Sequence, residues 1–352
     1  MSRDTDYTSK PGTGPEDSCE EEPALGHTPI DSPEPARDPY LEALRRIQDP
    51  RPGESPPPLP REERSASQWL ATLGLSQWLE DDERTRIASL ERGAGDPDRF
   101  GLSTETLANV LPLLRSLHRH YFRVTSHGHT HVPAKGPAVL ACNHAGLLPF
   151  DAAMILTDMV LRSRPTRLPR AIVDRWVDTM PFIRDFFAEM GQVIGTRENF
   201  SGLLDAGELV LVFPEGIAGV RKPYRERYRL QAFHRGFVEE ALRSRAPIIP
   251  TAVVGSDDQA PILYDVKPLA RWLGLPVAPI TPTFPWLGLL GLLPYPIHYR
   301  IVYGEPISPI DEYGPAAADD PVVVADLCER VRQRIQEMLD RERAARRGLQ
   351  PT

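Results

Sequence analysis

Ala138-Val139-Leu140-Ala141-Cys142-Asn143-His144 sets five apolar side chains in a row and ends them on an asparagine and a histidine. A run of that length, bounded by polar residues, predicts a strand buried on both faces. Three more runs of the same texture lie at 209–213, 248–254 and 299–303, separated by helical patterns at 152–161, 233–243 and 322–343. Short apolar runs alternating with helices predict an α/β domain, a mixed and largely buried sheet flanked by helices. Upstream, Trp69, Leu70, Leu73, Trp78 and Leu79 recur at helical spacing, as do Leu107, Val110, Leu111, Leu114 and Leu117. They predict an N-terminal helical preface, with the tryptophan stripe as core.

Residues 1–60 hold 13 of the 38 prolines. Such a stretch buries too little apolar surface to offset its ordering entropy, so 1–64 reads as a disordered, solubilising tail with a short helix at 40–47. The remaining chain divides into a helical segment at 65–120, an α/β domain at 121–310 and a C-terminal helix and tail at 311–352. Net charge is −8, and residues 1–65 carry 15 acidic against 8 basic side chains, leaving 34 against 33 beyond them. A nearly neutral body without a basic run gives no electrostatic footprint for nucleic acid. Cys19, Cys142 and Cys328 are too few and too scattered for a disulfide framework. No secretory signal opens the chain, and a reducing, cytoplasmic compartment is expected.

His144 falls at the C-terminal end of a predicted strand, the edge where ligands gather in open α/β sheets. Asp151 follows seven residues later and opens a helix. On one continuous helix the pair would stand about 10.5 Å apart along the axis. Gly146 and Pro149 argue for a loop that folds the carboxylate back onto the imidazole, fixing its tautomer. The alternative is a strand cap and a helix cap with no chemistry. A second buried run, Leu209-Val-Leu-Val-Phe213, ends on Pro214-Glu215-Gly216, with Arg221 and Lys222 close behind; local turn capping is its alternative.

Together, Asn143-His144 with Asp151, and Phe213-Pro214-Glu215-Gly216 after them, resemble the glycerolipid acyltransferase superfamily. Gly191-Gln-Val-Ile-Gly-Thr-Arg197 looks like its second block and Ala246-Pro-Ile-Ile-Pro250 like its fourth. Phe233-His-Arg-Gly-Phe237, Pro282-Thr-Phe-Pro-Trp286 and Tyr303-Gly-Glu-Pro-Ile307 resemble the bacterial monoacylglycerol/diacylglycerol acyltransferase-like branch. The ordered set spans about residues 120–310. Two positions depart from the pattern: six residues separate His144 from Asp151 where the superfamily usually has four, and Ala218 stands where it usually carries Arg. The missing Arg leans toward a neutral lipid alcohol over a phosphate-bearing acceptor.

The resemblance implies transfer of a fatty acyl group from acyl-CoA or acyl-ACP to a glycerolipid or other lipid hydroxyl. His144 is then the general base and Asp151 its partner. Asn143, Gly146, Phe213, Pro214, Glu215 and Gly216 would belong to the substrate site, and Arg197, Arg221 and Lys222 would face phosphates. No metal and no cofactor beyond the acyl donor is implied. A lipid hydrolase on the same edge and a non-catalytic lipid-binding module are the competing readings; the absence of a G-x-S-x-G elbow counts against the serine-hydrolase form. Ser126-His127-Gly-His129-Thr-His131 puts three imidazoles at alternate positions, which in a strand share one face. They are read as the polar face of an edge hairpin in preference to a metal site. Finally, Trp272 to Ile297 are 26 consecutive uncharged positions broken by six prolines. Those prolines oppose a spanning helix. The stretch is expected to pack on the domain, or to dip into a membrane interface through Trp286, Leu287, Leu289, Leu290, Leu292 and Leu293, placing the protein at the inner face of the membrane.

Overall fold

The structure, a computed structural model, describes residues 70, 72–90, 98–146, 148–175, 177, 182–273 and 277–346. The expected tail at 1–64, its short helix and Trp69 lie outside these residues.

Seven strands form one sheet: β1 (Thr125–His127), β2 (Ala138–Cys142), β3 (Pro169–Val173), β4 (Val193–Ile194), β5 (Leu209–Val212), β6 (Ile248–Val254) and β9 (Arg300–Tyr303). Their order is β1-β9-β6-β2-β5-β3-β4. Every pairing is parallel except β6 with β9. The sheet is therefore mixed, with β2 at its centre between β5 and β6. A separate two-stranded ladder pairs β7 (Tyr264–Asp265) with β8 (Pro279–Ile280).

Alternation along β2 divides the core. Val139 and Ala141 pack on one face against α5 (Gly236–Arg243) and α6 (Pro321–Arg346), through Phe237, Leu242, Leu327, Val331 and Ile335. Ala138, Leu140 and Cys142 pack on the other against Met154, Ile155 and Met159 of α3 (Phe150–Arg162). Strands covered on both sides need no polar face, which is why their sequences read as unbroken apolar runs. Among the described residues no helix is long and apolar enough to cross a membrane.

The preface contains α1 (Asp81–Ala88) and α2 (Thr104–Ser116), which bury Ile87, Leu107, Val110 and Leu111 against Leu156 and Val160 of α3. The tryptophan stripe departs from expectation. Gly74 sits at φ 60 and turns the chain, residues Leu75–Trp78 close a short 3-10 turn, and Trp78 is 63% exposed. Leu79 alone of that turn enters the core. A fresh helix then starts behind the Glu80–Glu83 capping box.

The histidine-rich segment is also rearranged. It is neither one strand nor a hairpin: β1 ends at His127, pairs in parallel with β9, and is followed by a 3-10 turn at His129–His131. Gly128 makes the break, at φ 84 and so close to the Tyr303 carbonyl that a Cβ would overlap it. The histidines consequently point to different partners. His131 Nδ1 bonds the Tyr303 carbonyl at 2.9 Å, while His129 reaches the buried Asp158 on α3 at 2.8 Å. Asp158 also accepts hydrogen bonds from Ser126, Tyr303 and His118.

Candidate active site

The three central parallel strands β2, β5 and β6 end at the same sheet edge, and the chain leaving β2 carries Asn143 and His144 there. Gly146, at φ 88, reverses this segment, and a Cβ at that position would lie 2.6 Å from Gln259 Nε2. The loop returns to α3, whose first turn holds Asp151. The carboxylate is fully buried. Its Oδ2 accepts from His144 Nδ1 at 2.7 Å and from the Ala145 N–H at 3.2 Å, and its Oδ1 accepts from the Ala152 N–H at 2.8 Å. Three donors and the helix N-terminus hold it in place.

A carboxylate on Nδ1 fixes the proton there and leaves the Nε2 lone pair available. The imidazole stacks on Phe213, with ring centroids 4.3 Å apart and planes 30° from parallel. Burial works to lower the His144 pKa, but the charge and hydrogen bond of Asp151, helped by Glu215, outweigh it and raise the value above 6.5. The ring is a stronger base than a free imidazole.

Not every residue expected at the substrate site reaches it. Asn143 is wholly buried; its amide group receives the Val253 N–H at 2.8 Å and donates to the Val253 carbonyl at 3.0 Å, extending the β2–β6 ladder by one side chain. Glu215 is buried as well. It accepts the His144 N–H at 3.1 Å and the Gln231 N–H at 2.8 Å, so it anchors the loop and does not line the acceptor space. Lys222 lies 3.2 Å from Glu215 and 3.6 Å from Asp257, and is buried with them. Burial lifts Asp257 to about 6 against the opposing charge of Lys222. Arg221 pairs with Asp265 at 2.7 Å. Arg197 is engaged by Glu239 and Glu240 at 2.6 and 2.8 Å. Each of the three cations expected to face phosphates thus has a carboxylate partner, because cations near the end of a sheet are cheapest to keep when paired. Pro214 turns the strand end, its carbonyl accepting the His234 N–H at 2.9 Å.

Two positions emerge only in the structure. Gln259 donates to the Ala145 carbonyl at 3.3 Å and accepts from Tyr299, bracing the loop from β6 and β9. Gly219 packs under His144, and a Cβ there would come within 3.0 Å of the His144 carbonyl and 2.9 Å of the Glu215 Cβ.

His144, Phe213 and Gly216 open onto a cavity of about 320 Å³. Its walls are apolar: Val110 and Leu114 of α2, Ala152, Ala153 and Leu156 of α3, and Phe186, Phe187 and Met190 around α4 (Ile183–Glu189). Among the described residues its lining includes no lysine or arginine. A family model described as Acyltransferase matches residues 123–254, which span β2, His144, Asp151, Glu215 and β6. An uncharacterized protein of Mycobacterium tuberculosis is 42% identical over 254 residues, covering 72% of this chain and 71% of that protein.

The chain belongs to the glycerolipid acyltransferase superfamily.

A chicken relative of this acyltransferase, "DGAT1/2-independent enzyme synthesizing storage lipids", is 23% identical over 181 residues, 51% of each chain. A crystal structure of the 1-acyl-sn-glycerophosphate acyltransferase PlsC of Thermotoga maritima aligns at TM-score 0.44 and 14% identity, covering 79% of this chain and 93% of that one.

Proposed function

We propose that the protein is an O-acyltransferase that moves a fatty acyl group from an acyl thioester, acyl-CoA or acyl-ACP, to the hydroxyl of a neutral lipid alcohol. The observation that carries this reading is the His144–Asp151 pair at the mouth of a largely apolar cavity of about 320 Å³. A hydroxyl is a weak nucleophile at neutral pH, and a base within reach of its proton lowers the barrier to attack. His144 Nε2 takes that proton as the hydroxyl oxygen adds to the thioester carbonyl. The C–S bond then breaks, and the imidazolium returns the proton to the departing thiolate, giving ester and thiol. A backbone N–H near Gly146 would meet the charge that develops on the carbonyl oxygen; the Ala145 N–H is already committed to Asp151. The cavity takes the acyl chain. Paired cations and Ala218 in place of an arginine favour an uncharged acceptor, since among the described residues the cavity lining carries no lysine or arginine to meet a phosphate.

A transfer assay with labelled palmitoyl-CoA and a panel of monoacylglycerol, diacylglycerol, fatty alcohol and lysophosphatidate tests the proposal. Labelled ester from an uncharged acceptor is expected; preference for lysophosphatidate overturns the acceptor assignment, and free fatty acid as the main product overturns transfer. The base must be unprotonated, so kcat/KM should rise with pH and level off above the His144 pKa. Because that pKa is raised, the midpoint of the acid limb is expected above 6.5.

Gly219→Ala provides a further check. The added methyl meets the His144 carbonyl and Glu215, and displacing a catalytic group by an ångström costs on the order of 10²-fold. A loss of about 10- to 100-fold in kcat/KM is expected, against a small change in melting temperature.

A further inference from the structure

Within the uncharged stretch, residues 281–293 form a loop whose interior is filled by its own polar atoms. Thr281 Oγ1 accepts the Phe284 N–H at 2.9 Å, Thr283 Oγ1 donates to the Gly291 carbonyl at 2.9 Å, and Leu287 N–H bonds the Thr283 carbonyl at 2.9 Å. Gly291 lies so close to Thr283 that a Cβ would overlap its carbonyl. With the inside occupied, the large apolar side chains are held outward. Trp286 is 77% and Leu290 71% exposed, and Leu287 and Leu293 are exposed beside them. Leu292 turns inward and, with Leu293, lines a small cleft shared with Leu148 and Phe150. Leu148 also lines the cavity at His144. The loop-side cleft and the reaction cavity therefore share Leu148 as a common wall.

The base of the loop is basic. The chain leaves it through Pro294 and Pro296, whose carbonyls are held by the Tyr121 hydroxyl and by the exposed Arg123 guanidinium at 2.9 Å. A carbonyl does not cancel the charge of Arg123. Burial, together with the charges of Arg300, Arg123 and Arg346, holds the neighbouring His298 below its ordinary pKa. Arg300 and Arg346 also meet Glu342 and Asp258, at 2.8 and 3.0 Å.

We propose that residues 281–293 are a membrane-docking element. Trp286, Leu287, Leu290 and Leu293 enter the acyl boundary of a bilayer, and Arg123 at the base of the loop meets anionic headgroups. An apolar tip without charges, a cationic shoulder and a cleft that borders the cavity at Leu148 together fit a lipid surface better than a folded partner. The inference concerns where lipid enters and rests on the cavity's being a lipid site.

Sedimentation of the full chain with vesicles tests it, in the absence of acyl donor, so that binding is read independently of transfer. Wild type is expected to bind phosphatidylcholine–phosphatidylglycerol vesicles more tightly than pure phosphatidylcholine. Trp286→Ser with Leu290→Ser should weaken binding to both by about tenfold or more, while leaving transfer between a soluble acyl thioester and a short-chain acceptor unchanged. Arg123→Gln should weaken binding to the anionic vesicles alone, by about fivefold. Wild type that stays in the supernatant with both vesicles, or a double variant that binds as wild type does, overturns the proposal. So does a wild-type dimer that the double variant converts to a monomer, which would assign the patch to a second copy.

Discussion

His144→Ala is expected to lower kcat/KM for acyl transfer by about 10²–10⁴-fold with an unchanged melting profile, the range that a positioned general base supplies. The ring contributes little to the core: it stands at the cavity mouth, held by Asp151 and stacked on Phe213. Removing it deletes the proposed proton acceptor and leaves Glu215, which grips the backbone of residue 144, in place. Asp151→Asn should come close to the same loss. An amide can donate to Nδ1 and so favour the tautomer whose Nε2 carries the proton, which is useless as a base. It also removes the charge that raises the His144 pKa, so whatever activity remains should show its acid limb at lower pH than wild type. Residual transfer above about a tenth of wild type in His144→Ala would remove the histidine from the mechanism.

A second large effect is expected on stability. Asp158 is buried on α3 beneath β1 and β9, and four donors converge on it: Ser126 at 2.7 Å, His129 at 2.8 Å, Tyr303 at 2.9 Å and His118 at 3.2 Å. Arg162 adds an ion pair at 3.3 Å. Asp158→Ala leaves these groups buried without their acceptor, and breaking a buried charged network costs about 3–5 kcal/mol. At about 2–4 °C per kcal/mol the melting temperature should fall by of order 10 °C. The sign of the pH dependence follows from the carboxyl. Burial pushes its pKa up, but hydrogen bonds from His118, His129 and Ser126 hold it well below 3.8 in the folded state. The stabilisation is therefore present above that ordinary value and fades as pH falls toward the folded-state value. Melting temperatures of variant and wild type should stay separated at neutral pH and converge in strong acid; a constant gap would place the effect in packing alone.

The strands nearest the site were the ones most readable from sequence. β2, β5 and β6 are covered on both faces, so their apolar runs are unbroken. β3 carries no such run: it begins with Pro169 and includes Arg170, which stays buried because Asp98 meets it at 2.6 Å and the Gly191 carbonyl at 2.7 Å. Those partners lie 72 and 21 residues away, beyond any local pattern. His144 and Asp151 were legible by type and position, yet the loop that joins them depends on the conformation of Gly146 and on Gln259, 114 residues from Ala145. Asn143 and Glu215 illustrate the opposite failing. Polar residues at a sheet edge suggest ligand contacts, but this edge has buried backbone groups of its own, and such groups must be bonded. Both side chains answer that need. Lys222 then follows Glu215 inward, since a buried carboxylate calls for a cation.

Glu215 joins the His144 backbone to a point 71 residues later, and Asn143 reaches Val253, 110 residues on. A chain emerging from the ribosome and extended only as far as β5 would own both the histidine and the aspartate, but not the strand against which Asn143 is braced. The reactive pair is thus completed by segments synthesised long after it. Nascent protein has no finished centre before its sheet is whole.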